Sequence, residues 1–255
     1  RDVQMVPRAD LYPEGENPRE IDRRNAVEMD TSKMNATVVA LRELGYDVEP
    51  TGVLVTEIVS GTPADGRLEA GDRIVAVDER GVTSTEQVRK AISRHQVGER
   101  VAFRIERDRA TKEVAVGVQA AEGQPRVGVV LRDLFQDLPV EVNIETENIG
   151  GPSAGLMFSI SIVDKLTPQD LTGGRRIAGT GTIELDGSVL PVGGVAEKLV
   201  AVERQGVSIF LIPGGNCGDV RGRVPDGLRL VKVSSLREAL RFLRQPAATA
   251  TAPGC

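Results

Sequence analysis

The stretch "ENIGGPSAGLMFSISIVD", Glu147 to Asp164, sets a serine between a pair of glycines and a long apolar run. Gly150 and Gly151 let the backbone approach closely or take positive φ, and Pro152 suits a first helical position, so Ser153 is expected in the opening turn of a helix over Ser153–Lys165. Two roles compete for its hydroxyl. It can cap the helix, the common role of a serine after glycines. Alternatively it can work on a bound group, because the unpaired N–H groups and the dipole at a helix start favour negative charge. That charge is either a phosphate or the oxyanion formed when a hydroxyl attacks a carbonyl. The following "AGLMFSISIV" is apolar nearly all round, which buries the helix and makes the loop ahead of it a rigid platform suited to catalysis.

A serine nucleophile needs a base. The single histidine, His95, lies in "AISRHQVGER" at the end of another helix and reads as a surface residue, which disfavours a Ser-His-Asp triad. Lys198 in "LPVGGVAEKLVAVERQG" fits better: on a helix from Val195 its neighbours three and four positions away are Val195, Ala201 and Val202, an apolar face. A lysine there either snorkels to water or stays buried with a lowered pKa, and only the second is a base. Thr180, in the tight "GTGT" turn, can hold the amine by a hydrogen bond or simply end a strand.

At 255 residues with 40% apolar content the chain has room for two modest domains. A net charge of −5 without basic runs interleaved with aromatics argues against nucleic acid as a partner. Two cysteines and one histidine are too few for a zinc site built from Cys and His; a carboxylate metal site stays open but nothing announces one, and neither metal nor cofactor is expected. Cys217 sits in a loop and Cys255 at the chain end, and no structural disulfide between them is expected. No apolar run is long enough to span a bilayer and no signal peptide is seen.

Residues 1–47 read as an irregular, Pro- and charge-rich lead-in over 1–29 followed by one helix from Asp30 to about Gly45. Residues 48–119 read as a small β-rich domain: a strand around Val53 and Val55, two short strands in "RIVAVDERGV", a helix over Thr85–Arg94, and a hairpin of "RVAFRIER" with "KEVAVGVQ". The small, polar "AAEGQPR", Ala120–Arg126, marks the seam. Residues 124–244 read as a mixed α/β domain: a strand in "PVEVNIETEN", the Ser153 helix, a hairpin through "RRIAGTGTIELDGSVLPVGG", a helix Val195–Gln205, a buried strand "VSIFLIP" and a last helix Ser235–Arg244. Residues 245–255, rich in Ala, Thr and Pro, read as a disordered tail. The fold class is α+β.

"GGPSAG" with Ser153, "GTGTIELDGSVLPVGGVAEKLVA" with Thr180 and Lys198, and "GVSIFLIPGGNC" together resemble the proteolytic domain of Lon proteases, over about Gly128–Arg244. The resemblance implies a serine endopeptidase with Ser153 as nucleophile, Lys198 as general base and Thr180 beside them, assembled as a homo-oligomer, in that family a six-membered ring or hexamer. Where many Lon enzymes have an acidic residue three before the serine, this chain has Gly150, and it contains no Gly-Lys-Ser or Gly-Lys-Thr phosphate loop. Cleavage is therefore expected to be ATP-independent, on unfolded or flexible protein substrates. "TGVLVTEIVSGTPADGRLEAGDRIVAVDERGV" and its helix resemble a PDZ domain, which implies peptide binding at Gly52, Val53 and Leu54, with Val55, Val88 and Ile92 as groove walls. PDZ before a Lon-type domain resembles membrane-anchored bacterial Lon-like proteases, which implies an N-terminal anchor preceding Arg1 and an extracytoplasmic location at the cell membrane. The alternative reading is a PDZ peptide-binding scaffold with a silent protease fold; a phosphate loop of the small-molecule kinase type stands behind it, lacking a role for Lys198.

Overall fold

The computed structural model describes residues 18–146, 150–203, 205–245 and 254–255. It divides into two compact units, Val48–Pro139 and a second that joins the residues up to Asp47 to those from Val140 onward. Both mix helix and strand, so the fold class is α+β. No helix among the described residues is long and apolar enough to cross a membrane.

Helix α1, Pro18–Glu43, begins on a proline, whose missing N–H is no loss at a helix start. It starts well before Asp30, so the part of the expected lead-in from Pro18 on is helical; residues 1–17 lie outside the described ones. The charged run "PREIDRRNAVE" hides the period, because among its described side chains Ile21 is buried and Met29 follows only two turns later. Gly45, at φ 87°, ends the helix, and Tyr46 N donates back to Leu41 O.

In the Val48–Pro139 unit, strands β1 (Gly52–Ile58), β2 (Arg73–Val77) and β3 (Arg80–Gly81) precede helix α2 (Thr85–Ile92) and the hairpin β4 (Arg100–Arg107) with β5 (Ala110–Gly117). Ser84 caps α2 by accepting from Gln87 N, and Val88 and Ile92 turn into the core beside Val53, Phe103 and Ile105. The expected seam is instead a small hairpin, β6 (Gln119–Ala121) with β7 (Gln124–Arg126). The chain then returns along β1 as β8 (Val129–Leu134), giving the sheet order β5-β4-β2-β1-β8 with β3 on β2. The unit therefore closes only at Pro139.

The other unit holds α3 (Gly155–Leu166), β9 (Ile177–Gly179), β10 (Thr182–Ile183), β11 (Val189–Leu190), α4 (Val195–Glu203), β12 (Ile209–Pro213), β13 (Arg229–Val233) and α5 (Leu236–Leu243). The fully buried "IFLIP" of β12 is the centre of a parallel sheet, β13-β12-β9, as an unbroken apolar strand should be. The expected single hairpin thus splits: β9 joins that sheet and only β10 and β11 pair antiparallel. Residues 140–146 are not a strand. They keep the alternation, with Val142 and Ile144 packed on the core, yet pair with no strand among the described residues, and Glu147–Ile149 lie outside those residues. Ala36, Val39 and Ala40 of α1 share one core with Leu156, Ile160 and Val163 of α3, so the lead-in helix is part of this unit.

A disulfide joins Cys217 to Cys255, against the sequence expectation. The chain end returns to the sheet, where Gly254 lies beside the Leu230 carbonyl of β13. The expected disordered tail is otherwise outside the described residues, at 246–253.

Candidate active site

Ser153 does not cap the helix. α3 begins at Gly155 with Ala154 at the N-cap position and no side-chain cap, and Pro152 and Ser153 lie in the turn ahead. That turn is stitched to the β9–β10 connection: Gly181 N donates to Ser153 O at 2.8 Å, Leu156 N to Gly181 O at 3.1 Å, and Thr180 Oγ1 to Ser153 O at 3.0 Å. Gly179 is required there, because a Cβ would stand 2.8 Å from Met157 Sδ and 2.9 Å from Leu211 Cβ.

Lys198 enters from α4. Its Nζ donates to Thr180 Oγ1 at 3.0 Å, to Ser153 Oγ at 3.1 Å and, at the long end, to Gly193 O at 3.4 Å. The three residues singled out from sequence therefore meet at the Lys198 amine. Burial pushes the Lys198 pKa below the usual lysine value, partly opposed by the carboxylate of Glu197. Thr180 is itself buried, at 2% exposure.

Sequence reasoning missed the residues that hold these loops. From α1, Asn25 O accepts from Gly151 N at 3.1 Å, Ser32 Oγ donates to Pro152 O at 3.0 Å, and Asn35 Nδ2 donates to Ile183 O at 3.1 Å. Gly150 has a packing reason as well, since a Cβ would stand 2.7 Å from Asn25 Cβ. Asn216, given no role of its own within "GVSIFLIPGGNC", binds the turn before α4 through both polar groups of Val192. Nothing local in the sequence marks these contacts, whose partners are far along the chain.

The peptide-binding positions fall differently. Gly52, Val53, Leu54 and Val55 lie in β1, paired on one edge with β2 and on the other with β8, so no further strand can add there. Val53, Val55 and Val88 are fully buried core. Of these residues only Ile92 borders a groove, of about 490 Å³, whose other wall is Val127–Leu131 and whose rim carries Arg89 and Arg126. Among the described residues the outermost strand of the sheet on this side is β8, where Val130 is 44% exposed. Among the described residues no cluster of three or more His, Cys, Asp or Glu side chains is arranged to hold a metal.

Comparison with known proteins accounts for both units. A family model described as the Lon protease (S16) C-terminal proteolytic domain matches residues 130–244, and one described as a PDZ domain matches residues 25–118. The Lon protease of Rickettsia felis is 34% identical over 114 residues, covering 43% of this chain and 14% of that protein. That of Chloroflexus aggregans is 37% identical over 114 residues, covering 42% and 14%. The aligned part thus spans 14% of the length of these curated relatives. The crystal structure of the PDZ domain of an SdrC-like protein from Listeria monocytogenes is 25% identical, covering 34% of this chain and 93% of that one, with a TM-score of 0.31. Residues 130–244 thus form a proteolytic domain of the Lon protease type, which here follows a PDZ domain.

Proposed function

We propose that the chain is a serine endopeptidase in which Ser153 is the nucleophile, Lys198 the general base and Thr180 the group that orients the base. The observation that carries this reading is the 3.1 Å hydrogen bond between the Lys198 amine and the Ser153 hydroxyl, at an amine whose pKa burial lowers. A neutral amine has two N–H bonds and one lone pair. Thr180 commits its own hydrogen to the Ser153 carbonyl and so meets the amine as an acceptor, and the Gly193 carbonyl can only accept. With both N–H bonds taken, the lone pair is left for the Ser153 O–H.

As that proton moves to Lys198, Ser153 Oγ bonds to the carbonyl carbon of a peptide. Negative charge then builds on the carbonyl oxygen beside the start of α3, where the helix dipole favours it. The ammonium returns its proton to the departing amine, leaving an acyl-enzyme on Ser153, and water repeats the sequence with Lys198 again as base. The chemical step uses only Ser153, Lys198 and water, so we read cleavage as independent of ATP and confined to unfolded or flexible segments. The β8 edge and its groove are where we place the PDZ unit's hold on an extended segment. Ser153→Ala and Lys198→Ala are each expected to lower cleavage of an unfolded protein, without nucleotide, by roughly a thousandfold. Undiminished cleavage by either variant would remove the proposed pair.

A further inference from the structure

Asn216 stands at the end of a 3-10 turn, Gly214–Asn216, that follows β12, and is 3% exposed. Its Oδ1 accepts from Val192 N at 2.9 Å, and its Nδ2 donates to Val192 O at 2.8 Å and to Asp219 Oδ2 at 2.7 Å. One carboxamide thus satisfies both polar groups of a backbone residue, as a neighbouring strand would, in a connection that has left β11 at Leu190 and not yet begun α4 at Val195. The two loops touch closely, since a Cβ on Gly215 would lie 2.4 Å from Pro191 Cγ.

The residue after Val192 is Gly193, whose carbonyl faces Lys198 Nζ, and Gly194 O accepts from Lys198 N at 3.2 Å to open α4. Gly193 and Gly194 give this turn wide backbone freedom, with Gly194 at φ 68°, and a Cβ at Gly193 would meet nothing within 4 Å. Gly193 and Gly194 pair with no strand among the described residues, and Asn216 holds the residue just before them.

We propose that Asn216 is a positioning residue: its carboxamide fixes the 191–194 turn so that the Gly193 carbonyl, together with the Thr180 hydroxyl, takes the N–H bonds of Lys198 and leaves the amine's lone pair facing Ser153. This rests on reading Ser153 and Lys198 as nucleophile and base. Without the clamp the carbonyl swings away, water takes its place at the amine, and Lys198 is neither aimed nor kept dry.

The test compares the pH dependence of peptide cleavage by the wild-type chain with three variants. Asn216→Asp is isosteric but sets a carboxylate oxygen against the Val192 carbonyl and the Asp219 carboxylate; Asn216→Ala removes the clamp; Asp219→Asn loosens only its outer hydrogen bond. Glu197 on α4 is the carboxylate acting on Lys198. The other elements packed on the amine offer it the Ser153 and Thr180 hydroxyls and the Gly193 carbonyl, and Asp219 lies behind Asn216. Both Asn216 variants are expected to lose roughly ten- to a hundredfold in kcat at neutral pH with KM unchanged. Their rate-against-pH midpoint is expected to move up towards the usual lysine value, and that of Asp219→Asn to move the same way by less. A variant that is folded by circular dichroism yet keeps the wild-type midpoint overturns the proposal, because a merely structural side chain would lower the amount of active protein without moving a pKa. Should the Asn216 variants not fold, the Asp219→Asn midpoint decides. A wild-type profile with no dependence on pH would instead remove Lys198 as base, which is a separate failure.

Discussion

At the amine of Lys198, burial lowers the pKa while the Thr180 and Gly193 oxygens aim what is left, and that burial serves the chemistry at a cost to the fold. For the chemistry the sign is plain: a lysine base works when neutral, so the rate should rise as pH climbs through the lowered pKa and level off above it. For the fold, the unfolded chain binds a proton that the folded chain does not, over the interval between the lowered pKa and the usual lysine value, so stability gains with pH across that interval. Lys198→Met is accordingly expected to be inactive and to melt slightly higher than the wild-type chain at neutral pH, by differential scanning calorimetry; a lower melting point would mean that the amine is not held against its desolvation. Gly150→Asp, which restores the acidic residue common in Lon enzymes, is expected to destabilise by about 1–3 kcal/mol because its Cβ meets Asn25. Ser153, Thr180 and Lys198 were legible in the sequence because each sits in a local pattern of glycines and apolar faces. Asn216 and Asn25 were not, because their partners lie far away in the chain.

Between elements, the least expected contribution is that of α1, a helix whose first half reads as charged filler yet whose polar side chains hold the Ser153 loop and β10. Ser32 is 2% exposed and donates to the Pro152 carbonyl, so Ser32→Ala should cost about 1 kcal/mol and lower Tm by roughly 2–4 °C. A native Tm in that variant would show that the brace contributes nothing. The sheet of the PDZ unit teaches the complementary lesson. Alternating valines give β1 its strand and its buried face, but whether a strand is central or an edge depends on what pairs with it, and β8 arrives from 76 to 80 positions further on, Val55 opposite Leu131 and Val53 opposite Asp133. The expected carboxylate-binding strand is therefore interior. Titration with an unstructured peptide should shift the backbone amides of Val129–Leu134 and of α2 in a heteronuclear NMR spectrum; shifts confined to Gly52–Val55 would return the groove to β1.

For the chain as a whole, the Cys217–Cys255 bridge spans a sequence separation of 38 residues and ties the chain end to the unit that carries Ser153. A sequence separation that long, ending in a stretch poor in apolar residues, gives no hint of pairing; only the fold brings Gly254 back beside β13. Cys255→Ser is expected to lower the urea-unfolding stability of that unit by about 2–4 kcal/mol relative to the oxidised protein, and equal stability would make the bridge incidental. The matched families cover most of the described chain, and the α+β order of PDZ then proteolytic domain was legible from its motifs, whereas the return of the chain along β1 as β8, which carries the first compact unit on to Pro139, was not. The most direct test of the whole is the rate at which a serine-reactive fluorophosphonate labels Ser153, measured against pH in the wild-type chain and in Lys198→Ala. The expected result is labelling that rises with pH in the wild-type chain and is lost in the variant while its circular dichroism is unchanged; equal labelling of both, or a rate independent of pH, would contradict activation of Ser153 by the Lys198 amine.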